Sequence, residues 1–328
     1  MKPLVIIASN SFGLLADDGV RLLKTVAEVE RVDALKVEES VFLDLLGRAM
    51  VIVGAPRRFS SRISSCSTLK MIAIRGAGTD SLDVETATRN GIIVTFAPAA
   101  NSTSVAELTV GLLLNITRCI HQAVTSVREG KWERLAFAGT EIEGKTVGIV
   151  GLGAIGRKVA RILDGFGVTK VGYDPFILPV QAQELNVDLV NLETLLSRSD
   201  FVCIHCPATP ETRGMINART LSFMKPTAYL INTSRGEVVD QKALVQVLRE
   251  GKLAGYATDV LEVEPPPKGE ELLADERVIC TPHIGGYTIE AARRIDTMVA
   301  SDVVAVLEGR RPEMSRVLNP SVLTPADM

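Results

Sequence analysis

The chain has 328 residues, enough for two domains at about 150 residues each. Hydrophobic residues make up 46% and charged residues 23%, an ordinary globular balance, and aromatics at only 4% require aliphatic cores. A net charge of −3 and a pI near 5.8 leave no electrostatic footprint for nucleic acid or an anionic membrane, and the composition excludes collagen and general disorder.

The chain opens MKPLVIIASN, an apolar run too short for a signal peptide, and no uninterrupted apolar stretch reaches the ~18 residues of a membrane span. LVIIAS (4–9), MVIVGA (50–55), LKMIAIRGAG (69–78) and GIIVTFAP (91–98) read as buried strands, while Val26–Leu35 and Val41–Leu46 read as helical or mixed. Strands apolar throughout, alternating with helical stretches, predict a parallel sheet covered by helices. A long helix is expected from near Asn101, with Ser102, Thr103 and Ser104 as candidate caps and a capping box over Ser104–Glu107. Composition then shifts. Ser126–Lys145 is charged and aperiodic and holds the single tryptophan, Trp132. It reads either as a loop or as a partner-binding arm, because Trp132, Leu135 and Phe137 are costly left in water.

The sharpest signal follows. TVGIVGLGAIGRKVARIL is a buried strand, a glycine turn and an amphipathic helix, and Gly151, Gly153 and Gly156 spell G-x-G-x-x-G. The strand before, the helix after, and Asp174 placed 18 residues beyond Gly156 complete a dinucleotide fingerprint. Gly151 permits the turn, Gly153 lets backbone approach a pyrophosphate, and Gly156 lets helix and strand pack closely. Asp174 suits ribose hydroxyls and repels a 2′-phosphate. Its neighbours Tyr173, Pro175 and Phe176 include no arginine, so NAD is expected rather than NADP. Further strand–helix units continue through KVGYD, Asn191–Arg198, FVCIHCP, AYLINTS, Gln241–Glu250, AGYATDV and VICTPHIGG. A final helix, Thr288–Leu307, is capped by Thr288 and stopped by Gly309 and Pro312.

Hydride transfer to a carbonyl needs a proton donor, and histidine titrates in the right range. The chain has three. His121 follows a helix and reads as surface or interface. His205 sits at a strand's carboxyl end, where ligands bind in open α/β sheets, and reads either as cofactor-lining or as a strand-end histidine. His283 precedes Gly285 and Gly286, so backbone there can approach a ligand. An acid histidine is helped by a carboxylate. Glu264, stiffened by Pro265–Pro267, is the best placed, with Glu262 and Asp259 as alternatives. A carboxylate substrate needs a cation, and Arg235, at a strand end beside Gly236, reads either as that fork or as a loop arginine. The five cysteines, including the pair Cys203 and Cys206 spaced C-x-x-C, read as reduced thiols of a cytoplasmic protein, and no spacing marks a metal site.

Arg235, Glu264 and His283 in this order downstream of GLGAIG resemble the D-isomer-specific 2-hydroxyacid dehydrogenase family, and the match runs along nearly the whole chain. RGAGTDSLDVETATRNGIIVTFAPAANSTSVAEL, CIHCPATPETRGMIN, INTSRGEVVDQKAL and TPHIGGYT fit its motifs. GKWERLAFAGTEIEGKTVGIVGLGAIGRKVARILDGFGVTKVGYDP looks particularly like its phosphoglycerate dehydrogenase branch.

The resemblance implies two doubly wound parallel-sheet α/β domains with a cleft between them. Residues 1–99 and 288–328 would form a discontinuous flavodoxin-like substrate domain. Residues 100–287 would form a Rossmann NAD-binding domain, with a homodimer arm at about 119–145. It implies Arg235 on the substrate carboxylate and carbonyl, His283 as general acid/base paired with Glu264, and Asp259 on the nicotinamide side. Ala154, Ile155, Asp174, Cys206, Thr233 and Ser234 would lie along the cofactor. Ala77 and Gly78 would offer N–H groups to the substrate. The expected reaction interconverts a D-2-hydroxy acid and its 2-oxo acid with NAD, as in oxidation of 3-phosphoglycerate for serine biosynthesis or reduction of hydroxypyruvate or glyoxylate. An NAD-sensing corepressor-like protein is the rival of another class. Arg57, Arg58, Arg75 and Arg134 are candidates for a substrate phosphate. Asp302 stands where the family is expected to carry Asn. The residues up to Met328 would leave out the regulatory domains of longer members, so serine feedback is not expected.

Overall fold

The computed structural model describes residues 2–33, 36–54, 66–79 and 82–323. Contacts divide the chain into two compact units, Met1–Asn101 with Gly286–Met328, and Ser102–Gly285.

The first unit opens with β1 (Leu4–Ile7), α1 (Asp18–Val26), β2 (Glu28–Arg31), α2 (Glu39–Arg48), β3 (Ala49–Val53), β4 (Met71–Ala73), α3 (Val84–Arg89) and β5 (Ile93–Thr95). The second runs through α4 (Ser102–Thr117), α5 (Ile120–Arg128), β6 (Thr146–Val150), α6 (Ala154–Leu163), β7 (Thr169–Tyr173), α7 (Pro179–Gln183), β8 (Val187–Leu189), α8 (Leu192–Arg198), β9 (Phe201–Ile204), α9 (Ala218–Leu221), β10 (Tyr229–Asn232), α10 (Gln241–Arg249), β11 (Gly255–Thr258) and β12 (Val278–Cys280). The last helix, α11 (Ile289–Leu307), returns to the first unit.

The sheet of the first unit has the order β2-β1-β3-β4-β5, all parallel, the flavodoxin-like arrangement. The sheet of the second has the order β12-β11-β10-β9-β6-β7-β8, also all parallel. Its order reverses between β6 and β9, and a doubly wound sheet binds ligands at that reversal. The expected fold class is therefore observed. Each sheet has an aliphatic cluster on either face, as scarce aromatics require.

Several local expectations are corrected. The helical or mixed reading of Val26–Leu35 gives way, over its described residues, to the last residue of α1 and the edge strand β2 (Glu28–Arg31), whose exposed and half-exposed side chains lack the apolar signature of an inner strand. α4 starts at Ser102, so Ser104 is a buried first-turn residue rather than a cap. The aperiodic stretch is helical as far as Arg128 and forms a 3-10 turn at Arg134–Phe137. Thr288 caps α11 by accepting from Ala291 N–H at 3.1 Å.

Inside the first unit, the Asp296 carboxylate of α11 is fully buried and accepts from Arg75 Nε and Gly13 N–H, both at 2.7 Å. Asp302 is also buried and accepts from Glu313 N–H at 3.2 Å and Arg316 Nη1 at 3.3 Å, tying the last turns of the chain to α11. Among the described residues no single helix is long and apolar enough to cross a membrane.

Candidate active site

The dinucleotide turn is built at the carboxyl end of β6. Gly151 has φ +92°, and a Cβ there would sit 2.9 Å from His205 C and Cys206 N, so β6 and the end of β9 touch through bare backbone. A Cβ on Gly156 would lie 2.0 Å from Gly151 O, so the root of α6 also admits only glycine. Gly153 differs: nothing lies within 4 Å of its Cβ position, and as N-cap of α6 it provides no side-chain cap. The first-turn N–H groups of α6, at Ala154 and Ile155, have no carbonyl of their own helix to bond and stand at the positive end of its dipole. Asp174, just past β7, holds the turn: its Oδ2 accepts from Leu152 N–H at 2.8 Å and its Oδ1 from Phe176 N–H at 2.9 Å. Bare backbone, an uncapped helix start and a carboxylate at the neighbouring strand end fit a dinucleotide whose ribose carries free hydroxyls.

Beside this turn, His205 donates its backbone N–H to Val150 O at 2.7 Å. Both of its ring nitrogens are buried without a hydrogen-bond partner among the described residues. Burial pushes its pKa down to about 3, so the ring is neutral. Burial likewise pushes the thiols up, Cys203 to about 12 and Cys206 to about 11, the latter helped by the charge of Asp174. Thiols that stay protonated are poor redox nucleophiles, and all five cysteines are free.

The remaining polar groups come from three adjacent strand ends, β10, β11 and β12. Past β10, Thr233 and Ser234 are buried. The Thr233 hydroxyl lies 2.8 Å from that of Thr109 on α4, and Ser234 donates its N–H and hydroxyl to Asn232 Oδ1. Arg235 is half-buried and donates through Nη1 to Ser234 O at 2.8 Å. Past β11, Asp259 is buried, and its carboxylate accepts from the Thr281 hydroxyl at 2.6 Å, Ile284 N–H at 2.8 Å and Gly285 N–H at 2.7 Å. Those three bonds bracket His283, whose φ of +54° is in the left-handed region costly for a side-chain-bearing residue. Sequence reasoning missed this anchoring, which no spacing announces.

Glu264 Oε2 lies 2.7 Å from His283 Nδ1, and Glu264 Oε1 accepts from Leu261 N–H at 2.9 Å. The hydrogen bond to Glu264 raises the His283 pKa above its ordinary value, and the charges of Glu264 and Asp259 add to it. Burial and the Arg235 guanidinium pull the other way without prevailing. Burial alone would push the Glu264 carboxyl up, but His283, Leu261 N–H and Arg235 together hold it below the usual value. Of the candidate carboxylates, the structure pairs Glu264 with the imidazole, commits Asp259 to the Thr281 hydroxyl and two backbone N–H groups, and leaves Glu262 exposed.

Residues 110–285 match the family profile described as "D-isomer specific 2-hydroxyacid dehydrogenase, NAD binding domain". The chain belongs to the D-isomer specific 2-hydroxyacid dehydrogenase family. Its second unit holds the NAD-binding domain of that family. The chain is similar to a D-3-phosphoglycerate dehydrogenase of Methanocaldococcus jannaschii, 41% identical over 300 residues, 91% of this chain and 57% of that protein. It spans about half the length of the curated relatives it matches. Among solved structures it is similar to a D-lactate dehydrogenase from Aquifex aeolicus complexed with NAD and lactic acid, with TM-score 0.84 and 27% identity over 96% of this chain and 99% of that one. It is also similar to a glyoxylate reductase from Paecilomyes thermophila, with TM-score 0.82 and 26% identity over 97% of each chain.

The other expected site residues lie in the first unit, on the 3-10 turn of the second, or outside the described residues. Ala77 and Gly78 are on the loop after β4, and Gly286 opens the return to α11. Arg75 is not a solvated arginine: its side chain is 7% exposed and paired with Asp296. Arg134 is exposed on the 3-10 turn, and Arg57 and Arg58 lie outside the described residues.

Proposed function

We propose that this chain is an NAD-dependent oxidoreductase that interconverts a D-2-hydroxy acid and its 2-oxo acid, with 3-phosphoglycerate and phosphohydroxypyruvate as the pair. The observation that carries the reading is the His283–Glu264 pair at 2.7 Å, with Arg235 close enough to influence the titration of both. That is a proton donor, its orienting carboxylate and a carboxylate-binding cation on one set of strand ends. Bound NAD supplies the hydride acceptor for C2. Neutral His283 takes the hydroxyl proton during oxidation, and the imidazolium returns it during reduction. Glu264 fixes the ring and stabilises the imidazolium, while Arg235 holds the substrate carboxylate and polarises the carbonyl oxygen. The α6 N-terminus, Gly153 and Asp174 hold the dinucleotide. His205, Cys206, Thr233, Ser234, Asp259 and Gly285 border it. A preassembled acid favours an enzyme over a corepressor-like NAD sensor.

One observation favours a second reading, a hydroxypyruvate or glyoxylate reductase. Arg75, two residues before Ala77, is consumed by Asp296 rather than available to a phosphate. A kinetic panel at 340 nm with phosphohydroxypyruvate, hydroxypyruvate and glyoxylate decides between them. A preference for the phosphorylated acid sustains the first reading, its absence the second, and no turnover with any of the three defeats both.

We assign the segment 119–145 to a homodimer arm of a cytoplasmic protein. Ile120, Val124 and Val127 form an exposed stripe on α5, and Trp132 and Leu135 are 77% and 92% exposed, which a monomer has no reason to maintain. The five free thiols suit a reducing compartment. Leu135→Asp is expected to yield a monomer in size-exclusion chromatography with light scattering; an unchanged mass would remove the arm's assignment.

A further inference from the structure

We propose that Asn232 is a positioning residue for Arg235: its buried carboxamide fixes the peptide that carries the guanidinium, and so sets affinity for the substrate carboxylate while touching neither substrate nor cofactor. The inference rests on the role given to Arg235 above.

β10 ends at Asn232, and within three residues the chain must reverse out of the sheet to present Arg235. Asn232 has no exposed surface. Its Nδ2 donates to Arg235 O at 2.9 Å, and its Oδ1 accepts from Ser234 N–H at 3.0 Å and the Ser234 hydroxyl at 2.8 Å. One planar group therefore grips both ends of the Ser234–Arg235 dipeptide. The grip is itself anchored, because Asn232 O accepts from the Thr258 hydroxyl at 3.0 Å and Asp259 N–H at 2.9 Å, both at the end of β11. On the far side, Gly236 is pressed against the Leu261–Glu262 backbone so closely that a Cβ would lie 2.0 Å from Leu261 C. The main chain at 235 is held between a carboxamide and a wall of peptide, and the side chain folds back to donate through Nη1 to Ser234 O at 2.8 Å.

The chemistry of that grip needs an amide. A carboxylate of the same shape keeps the two acceptor bonds but cannot donate, and sets one anionic oxygen against the carbonyl of Arg235. A serine, whose single hydroxyl cannot replace the amide's separate donor and acceptor atoms, breaks the two-ended grip without adding charge.

The test compares Asn232→Asp and Asn232→Ser with the wild type and with Arg235→Lys in the full chain. KM and kcat are measured for hydroxypyruvate with NADH, together with the Kd for NADH by fluorescence, the pH midpoint of kcat/KM and the circular dichroism spectrum. For both Asn232 variants KM is expected to rise about tenfold or more. The pH midpoint should not move, since Glu264 and His283 are untouched, and in Asn232→Asp, which keeps both acceptor bonds to Ser234, the Kd for NADH should stay within about twofold. An unchanged KM overturns the proposal. So does a parallel loss of NADH binding in Asn232→Asp, or a chain that fails to fold with either substitution, because Asn232 would then support the unit at large. Arg235→Lys separates the two ideas. If it too leaves KM unchanged, the role of Arg235 fails; if it raises KM while the Asn232 variants do not, only the positioning role fails.

Discussion

Gly236→Ala tests whether the loops bearing Arg235 and Glu264 share one geometry. The added methyl would sit 2.0 Å from Leu261 C, 2.2 Å from Leu261 O and 2.3 Å from Glu262 N, all main chain and none able to rotate aside. Ordinary carbon contacts lie at about 3.5 Å or beyond, so one loop must retreat by more than about 1 Å. Arg235 precedes the site by one residue and Glu264 follows the opposing peptide by two, so either retreat changes the spacing between the guanidinium and the imidazole–carboxylate pair. Displacements of that size cost about 100-fold in rate, and overpacking costs about 1–3 kcal/mol of stability. The dinucleotide turn is on β6, separated from β10 by β9, and should be unaffected. The expected result is kcat/KM lowered about 100-fold with hydroxypyruvate, a reduced Tm, and the wild-type Kd for NADH. Wild-type kcat/KM at an unchanged Tm would refute the claimed coupling.

Three further outcomes are expected. His283→Asn should lower kcat by about 10²–10⁴-fold while fluorescence titration shows NADH binding intact; an equal loss of NADH affinity would contradict a proton-transfer role. In Glu264→Gln the His283 pKa, raised in the wild type chiefly by Glu264, falls as burial and Arg235 prevail. Reduction uses the imidazolium and declines as pH rises through that pKa, so its kcat/KM profile should shift to lower pH, with oxidation shifting in the same direction; a stationary profile would count against the pair. Asp296→Ala leaves the buried Arg75 guanidinium without its carboxylate, and denaturant unfolding should report a loss of about 3–5 kcal/mol, with a loss under 1 kcal/mol arguing that water reaches the arginine.

Much of this was legible in the sequence because its causes are local. A glycine turn between an apolar strand and an amphipathic helix can be read directly, and so can Thr288 before α11. β2 was not legible, because an edge strand sequenced EVER carries no buried face and its partner β1 lies more than twenty residues away. Arg235 and His283 could be named from their strand-end positions, but their supports could not. Asn232 gripping Arg235 looks like any strand-end asparagine. For Asp259 the three bonds its carboxylate accepts from groups flanking His283 could not be read, because that pattern is set only once β11 and β12 lie side by side. Arg75 could be read only as a candidate for a substrate phosphate, because its buried partner, Asp296, is 221 residues distant.

The three strands that carry Arg235, Glu264 and His283 are not equally well supported. β10 is flanked by β9 and β11, whereas β12 is three residues long and hydrogen-bonds to β11 alone, at the margin of the sheet. Fraying on heating starts at such margins. His283, the proposed proton donor, follows one of the sheet's two three-residue edge strands, whereas the glycine turn proposed to hold the nucleotide follows an inner one, so a warmed sample should stop turning over while it still retains NADH, and cooling should restore the rate without any need to rebuild the interior.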